Sequence, residues 1–146
     1  MKPRRYGFDD TEAPYREWRY EWGVGAVHDV DQIEWRGNKP LCVIELTRVK
    51  HDMTRTEHAV RDRLWRQFSG RKLRCIARNL GVPFVVVIYD DSLEELSVCL
   101  LDAEDAPFHR LSKSSYQSWL SRWQPGSPPP SFSSESSMPT TITPSA

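Results

Sequence analysis

The sequence predicts a small α/β domain built on a mixed β-sheet, and three observations carry that expectation. Phe84-Val85-Val86-Val87-Ile88-Tyr89 is an almost uninterrupted apolar run, the pattern of a strand covered on both faces. Residues 54–79 show helical spacing of apolar side chains over a length sufficient for a crossover between parallel strands. The segments follow the order helix, strand, strand, long helix, strand, strand, helix.

Each element has its own local reason. Thr11 or Asp10 can cap a first helix over 15–22, with Pro14 tolerated in its first turn and Gly23 and Gly25 ending it. A strand over about 27–35 leads into a turn at 36–40, rich in Gly, Asn and Pro. Residues 41–49 are dense in branched apolar side chains, so the two strands form a hairpin whose second strand is central. The helical stretch reads as one helix, or as two with a break near Gly70. Leu64, Phe68, Leu73, Ile76 and Leu80 supply its buried side, and Gly81-Val82-Pro83 closes it. Beyond the apolar strand, an acidic turn precedes a strand over 96–101. A short helix over 115–123 carries the stripe Tyr116, Trp119, Leu120 and Trp123.

Charge is segregated along a chain whose formal net charge is zero. Residues 50–80 hold nine basic and three acidic side chains, whereas 81–105 hold seven acidic and no basic ones. One helix can therefore offer a positive face to polyphosphate within a neutral protein. Residues 125–146, with six prolines and seven serines, bury too little to offset ordering and are expected to form a disordered tail behind a domain spanning 1–124. Cys42, Cys75 and Cys99 lie far apart in apolar segments, as buried thiols of a reducing compartment do. No membrane partner is expected, since no apolar run reaches the length of a span, and the cytoplasm is the expected location. Phosphate-loop and dinucleotide glycine patterns are absent.

Glu45 is the anomaly. It interrupts Val43-Ile44-Glu45-Leu46, where a lone carboxylate is costly unless it is paired, hydrogen-bonded or bound to a cation. The neighbouring strand carries Asp29, Asp31 and Glu34, and the hairpin can bring Asp31 alongside Glu45. Two carboxylates on adjacent strands make a hard-oxygen site suited to Mg²⁺ or Mn²⁺. Alternation puts Glu45 and Thr47 on one face, with Ile44, Leu46 and Arg48 on the other. The competing reading is a buried ion pair between Glu45 and an arginine of the long helix. Asp29 and Glu34 fit solvated edge positions, and the four histidines show no metal-ligand spacing.

The segment Asp31-Gln32-Ile33-Glu34-Trp35, followed by Leu41-Cys42-Val43-Ile44-Glu45-Leu46-Thr47, resembles the catalytic hairpin of the PD-(D/E)XK nuclease superfamily. There an aspartate opens one strand and the next reads apolar-apolar-Glu-x-Lys. With the element order, the likeness spans about 11–101 and implies a three-layer restriction-endonuclease-like core with a long crossover helix. It implies metal-dependent hydrolysis of phosphodiester bonds, with DNA the favoured substrate. Asp31 takes the place of the motif aspartate and Glu45 that of the second acid. Glu17 or Glu21 fills the role of an upstream helical glutamate, and Gln67 that of a glutamine on the following helix. Mg²⁺ or Mn²⁺ would be held by Asp31, Glu45, the Leu46 carbonyl and Glu17.

Arg61, Arg63, Arg71, Arg74 and Arg78 of the long helix are candidates for phosphate contacts. Thr47 stands where the superfamily has its lysine. Its hydroxyl can bond water but carries no charge, so Lys50, Lys72 or a helix arginine would have to supply the cation. Cutting both strands would call for a homodimer, for which the aromatic C-terminal helix offers a face. A DNA-acting form would work at the nucleoid. Two other readings stand beside the nuclease: a nuclease-like domain that binds nucleic acid without cutting, and an interaction domain using its tryptophans and tail.

Overall fold

The computed structural model describes residues 13–22 and 30–132 of the 146. Helix α1 (Ala13–Trp22) precedes a hairpin of β1 (Gln32–Arg36) and β2 (Lys39–Arg48), turned through Gly37 in a left-handed conformation. Helices α2 (Met53–Arg66) and α3 (Phe68–Leu80) lead to β3 (Phe84–Tyr89), β4 (Glu95–Leu100) and β5 (Phe108–Ser112). Helix α4 (Lys113–Arg122) follows. The strands lie side by side in chain order. Strands β2 and β3 run parallel, joined by the α2–α3 crossover, and every other neighbouring pair is antiparallel.

The sheet is thus mixed, and helices cover both of its faces. Cys42 and Ile44 of β2 pack with Val85 and Val87 of β3 beneath Trp119 and Trp123 of α4. Val43, Val86 and Ile88 pack on the other face beneath Val60, Leu64, Leu73 and Ala77. Strand β3 is buried on both sides, as its apolar run requires. Asp52 caps α2 by accepting from the Arg55 N–H at 2.8 Å, and Gly81, at φ 72°, ends α3. Among the described residues no helix is long and apolar enough to cross a membrane.

Four expectations need correction. The crossover is two helices, as one of the two readings held, but the break falls at Gln67, whose backbone is extended, three residues before Gly70. Gly70 lies inside α3, where that helix crosses α2 so closely that a Cβ would sit 1.8 Å from the Leu64 carbonyl oxygen. The break also re-phases the apolar pattern, leaving Phe68 and Leu80 exposed. Second, Cys75 is exposed, unlike Cys42 and Cys99.

Third, β5 is an added strand. Its short, polar sequence pairs with β4 and buries Leu111 under α4, while Arg110 reaches Glu57 of α2. Fourth, residues 125–132 belong to the fold and not to a tail. The Trp119 indole N–H donates to the Pro130 carbonyl at 2.9 Å and that of Trp123 to Ser127 at 3.2 Å. Phe132 is buried, stacked on Trp119 and His109. Trp119 and Trp123 are fully buried within their own domain, so they do not furnish the expected dimer face. Residues 133–146 lie outside the described residues.

Candidate functional site

The hairpin register brings the two predicted acids together. Gln32 pairs with Ile44, so the next step outward sets Asp31 opposite Glu45. Asp31 Oδ2 accepts the Leu46 N–H at 2.9 Å, which pins the aspartate at the mouth of β1. Val43 faces the α2–α3 layer, and by alternation Glu45 and Thr47 face it too. Glu45 is half-buried and Asp31 exposed. Burial, the facing charge of Asp31 and the hydrogen bond between the two carboxyls push Glu45 up from 4.5 to about 7, while the charge of Arg63 pulls the other way.

Arg63 comes from α2, the arginine source foreseen for an ion pair, yet among the described residues Glu45 forms no salt bridge. Arg63 instead lines a cleft of about 390 Å³ together with Thr47, Lys50, His51 and Arg55. The turn that delivers these cations is built from local bonds. Thr56 Oγ1 accepts from the Lys50 N–H at 2.9 Å and donates to the Lys50 carbonyl at 2.6 Å, and His51 adopts a left-handed backbone at φ 65°. A cationic wall therefore stands beside the position where Thr47 leaves no charge.

The remaining candidates disperse. Glu17 and Glu21 are exposed on α1, and among the described residues no three or more His, Cys, Asp or Glu side chains gather as a metal group. What the structure brings together is the Asp31–Glu45 pair, with the Leu46 main chain beside it. Asp29 lies outside the described residues. Glu34 turns to the α4 face and pairs with Arg36 at 3.1 Å, and Arg48 pairs with Asp91 at 3.2 Å. Gln67 is an exposed residue at the α2–α3 junction and does not line the cleft.

The five arginines divide as well. Arg61 donates to the Ala106 carbonyl at 2.7 Å and lies over Phe108, so it ties α2 to the β4–β5 loop. Arg63 faces the cleft, and Arg71, Arg74 and Arg78 line a separate groove. His51 and Arg55 were not singled out from sequence. One signal could have found them: only residues 49–52 separate β2 from α2, so the start of α2 must lie near the carboxyl end of β2. No family model matches the chain, and neither a curated protein nor a solved structure matches it.

Proposed function

We propose that this chain is a divalent-metal-dependent phosphodiesterase acting on nucleic acid, with DNA as its substrate and a PD-(D/E)XK-like arrangement of its hairpin and crossover. One observation carries the reading: two carboxylates face each other and, among the described residues, neither forms a salt bridge, beside a cleft walled by Arg63, Lys50 and Arg55. A carboxyl held near 7 in an apolar strand is a cost that a bound cation would remove. The donor set suits Mg²⁺ or Mn²⁺, which bind through one or two carboxylates and fill the remaining positions with water and substrate phosphate. Such an ion supplies Lewis acidity to the phosphoryl group and an activated water.

The chain's own residues supply the rest. Asp31, fixed by the Leu46 N–H, and Glu45, fixed by the β2–β3 ladder, hold the two oxygens on a rigid support. Arg63 stands in for the missing lysine by presenting fixed positive charge to the non-bridging oxygens of the phosphate, and Thr47 orients water through its hydroxyl. Lys50 and Arg55 extend the same positive wall to the flanking phosphates.

The decisive measurement is Mg²⁺-dependent cleavage of linear, branched and single-stranded DNA by wild type, Asp31→Asn and Glu45→Gln. Either substitution should lower the rate by roughly 10³-fold, about 4 kcal/mol of barrier. Thr47 favours a second reading, a nuclease-like domain that binds without cutting. Wild type that binds DNA but shows no cleavage with Mg²⁺ or Mn²⁺ would establish that reading and end the first.

A further inference from the structure

A second basic concavity, of about 670 Å³, opens where the end of α2 meets α3. It is lined by Trp65, Arg66, Arg71, Arg74, Arg78 and Glu104, and shares no residue with the cleft beside Glu45. Spacings of three and four put Arg71, Arg74 and Arg78 along one side of α3. The break at Gln67 lets that side close on Trp65 of α2.

The charges there are unequal. Arg66 is held by Asp62 and Glu104, but among the described residues Arg71, Arg74 and Arg78 have no carboxylate partner. The Arg74 guanidinium stacks 4.1 Å from the Trp65 ring and donates through Nη2 to the Trp65 carbonyl at 2.8 Å. Its Nε is buried and, among the described residues, has no acceptor. Arg71 donates to the Arg66 carbonyl at 3.3 Å. These two bonds satisfy free carbonyls at the end of α2, yet a guanidinium carries five donors, and each arginine spends one in this way.

Burial and the nearness of Arg71 and Arg78 pull the Arg74 pKa down. A cluster that repels itself, with donors unmet, is complementary to a multiply charged oxyanion whose oxygens accept guanidinium forks. The surface continues in the same character. Phe68, 67% exposed, lies one turn before Arg71 with the Lys72 ammonium 4.5 Å from its ring. Exposed aromatics among cations suit a strand that offers both phosphates and base faces.

We propose that this groove binds the phosphate backbone of a nucleic-acid strand, as an anchoring site separate from the carboxylate pair and independent of metal. That ligand follows from the phosphodiesterase reading, because the substrate of such a centre is itself a chain of phosphates. A free polyphosphate shares the chemistry, and the experiment separates the two.

The test measures binding of fluorescent oligothymidylate to the full chain in EDTA by anisotropy across a salt series, with pyrophosphate binding measured in parallel. Arg71→Gln/Arg78→Gln is compared with wild type and with Lys39→Gln/Lys113→Gln, which removes equal charge elsewhere. All four residues are exposed, and thermal unfolding checks that each variant is folded. The arginine variant should bind the strand about tenfold more weakly or worse, with a log–log salt slope shallower by about 1.4 for two lost contacts. The lysine variant should stay close to wild type. Equal losses in both variants, or none in the arginine variant, would overturn the proposal. Arginine-dependent binding of pyrophosphate without binding of the strand would likewise overturn it, naming a free polyphosphate instead. Arginine-dependent strand binding in a protein that cuts nothing with Mg²⁺ would support the groove and refute only the phosphodiesterase reading.

Discussion

Glu57 and Glu45 both lie between α2 and the sheet, and their surroundings differ sharply. Glu57 projects from α2 toward β4 and β5, with its side chain only 13% exposed. It accepts from the Ser97 hydroxyl and from Arg110, through Nε at 3.1 Å and Nη2 at 3.3 Å, and Arg110 also donates to Thr54 at 2.8 Å. Glu45 projects from β2 toward the same helix, and its nearest acidic partner is another carboxylate. This interface therefore can compensate a carboxylate from within the chain by a salt bridge, whereas at Glu45 only the charge of Arg63 acts in that direction and burial and Asp31 outweigh it. The difference leaves the Glu45 carboxylate costly to ionise, at the expense of stability.

Removing the compensation at Glu57 should break the contrast most severely. Arg110→Ala leaves Glu57 with the Ser97 hydroxyl alone and should cost about 2 kcal/mol, less than a fully buried pair because Arg110 is itself 41% exposed. Urea unfolding at pH 7 reads this loss directly.

The opposite sign is expected at Glu45. Its folded pKa of about 7 lies above its ordinary 4.5, so the folded state retains a proton that the unfolded chain releases. Stability from this group therefore falls as pH rises from about 4.5 to 7 and levels off above. Discounted for partial solvent access, the penalty at pH 8 is about 1.5 kcal/mol. Glu45→Gln should recover it, raising the unfolding temperature at pH 8 and changing little near pH 4.5. A variant less stable than wild type at both values would mean that Glu45 is compensated after all.

The smallest effect sharpens the role of the threonine. Thr47→Lys puts an ammonium on the face that Glu45 occupies, and should lower the Glu45 pKa and stabilise the protein by less than about 1 kcal/mol at pH 8. NMR titration of the Glu45 side chain reads the shift. No downward movement would place residue 47 out of electrostatic reach of the pair.

The sheet was legible where one physical term dominated. The apolar run at 84–89 and the branched residues of β2 leave few alternatives to buried strands, and both appear as expected. The pair was legible only in outline: the two-residue turn alone would set Asp31 opposite Ile44, and a bulge at Glu34/Trp35, which no local pattern announces, shifts the register by one and sets Asp31 opposite Glu45. Strand β5 was hidden because Phe108-His109-Arg110-Leu111-Ser112 buries a single leucine, and its arginine is explained only by Glu57, 53 positions away. The position of Gly70 misled for the converse reason. The glycine marks where two helices cross, a demand of tertiary packing that a breaker residue mimics in sequence. Arg61, Arg63 and Arg74 look alike in a helical stretch. Their different places follow from the break at Gln67 and from Phe108, Trp65 and Ala106, which no local spacing reveals.

The strap formed by residues 125–132 has a practical consequence for handling the molecule. It lies on the α4 face, across the sheet from Glu45, and Ser127 on it is exposed. Cys75 is the exposed native thiol, whereas burial pushes the Cys42 and Cys99 thiols up to about 12 and leaves them unreactive. Coupling to a sensor surface through Cys75 would hold the protein by α3 and turn the arginine groove toward the support. Coupling through Ser127→Cys in a Cys75→Ser background would turn it over, leaving both the groove and the carboxylate cleft open to solution. One molecule, mounted in two orientations, thus supplies its own control for which face meets a ligand.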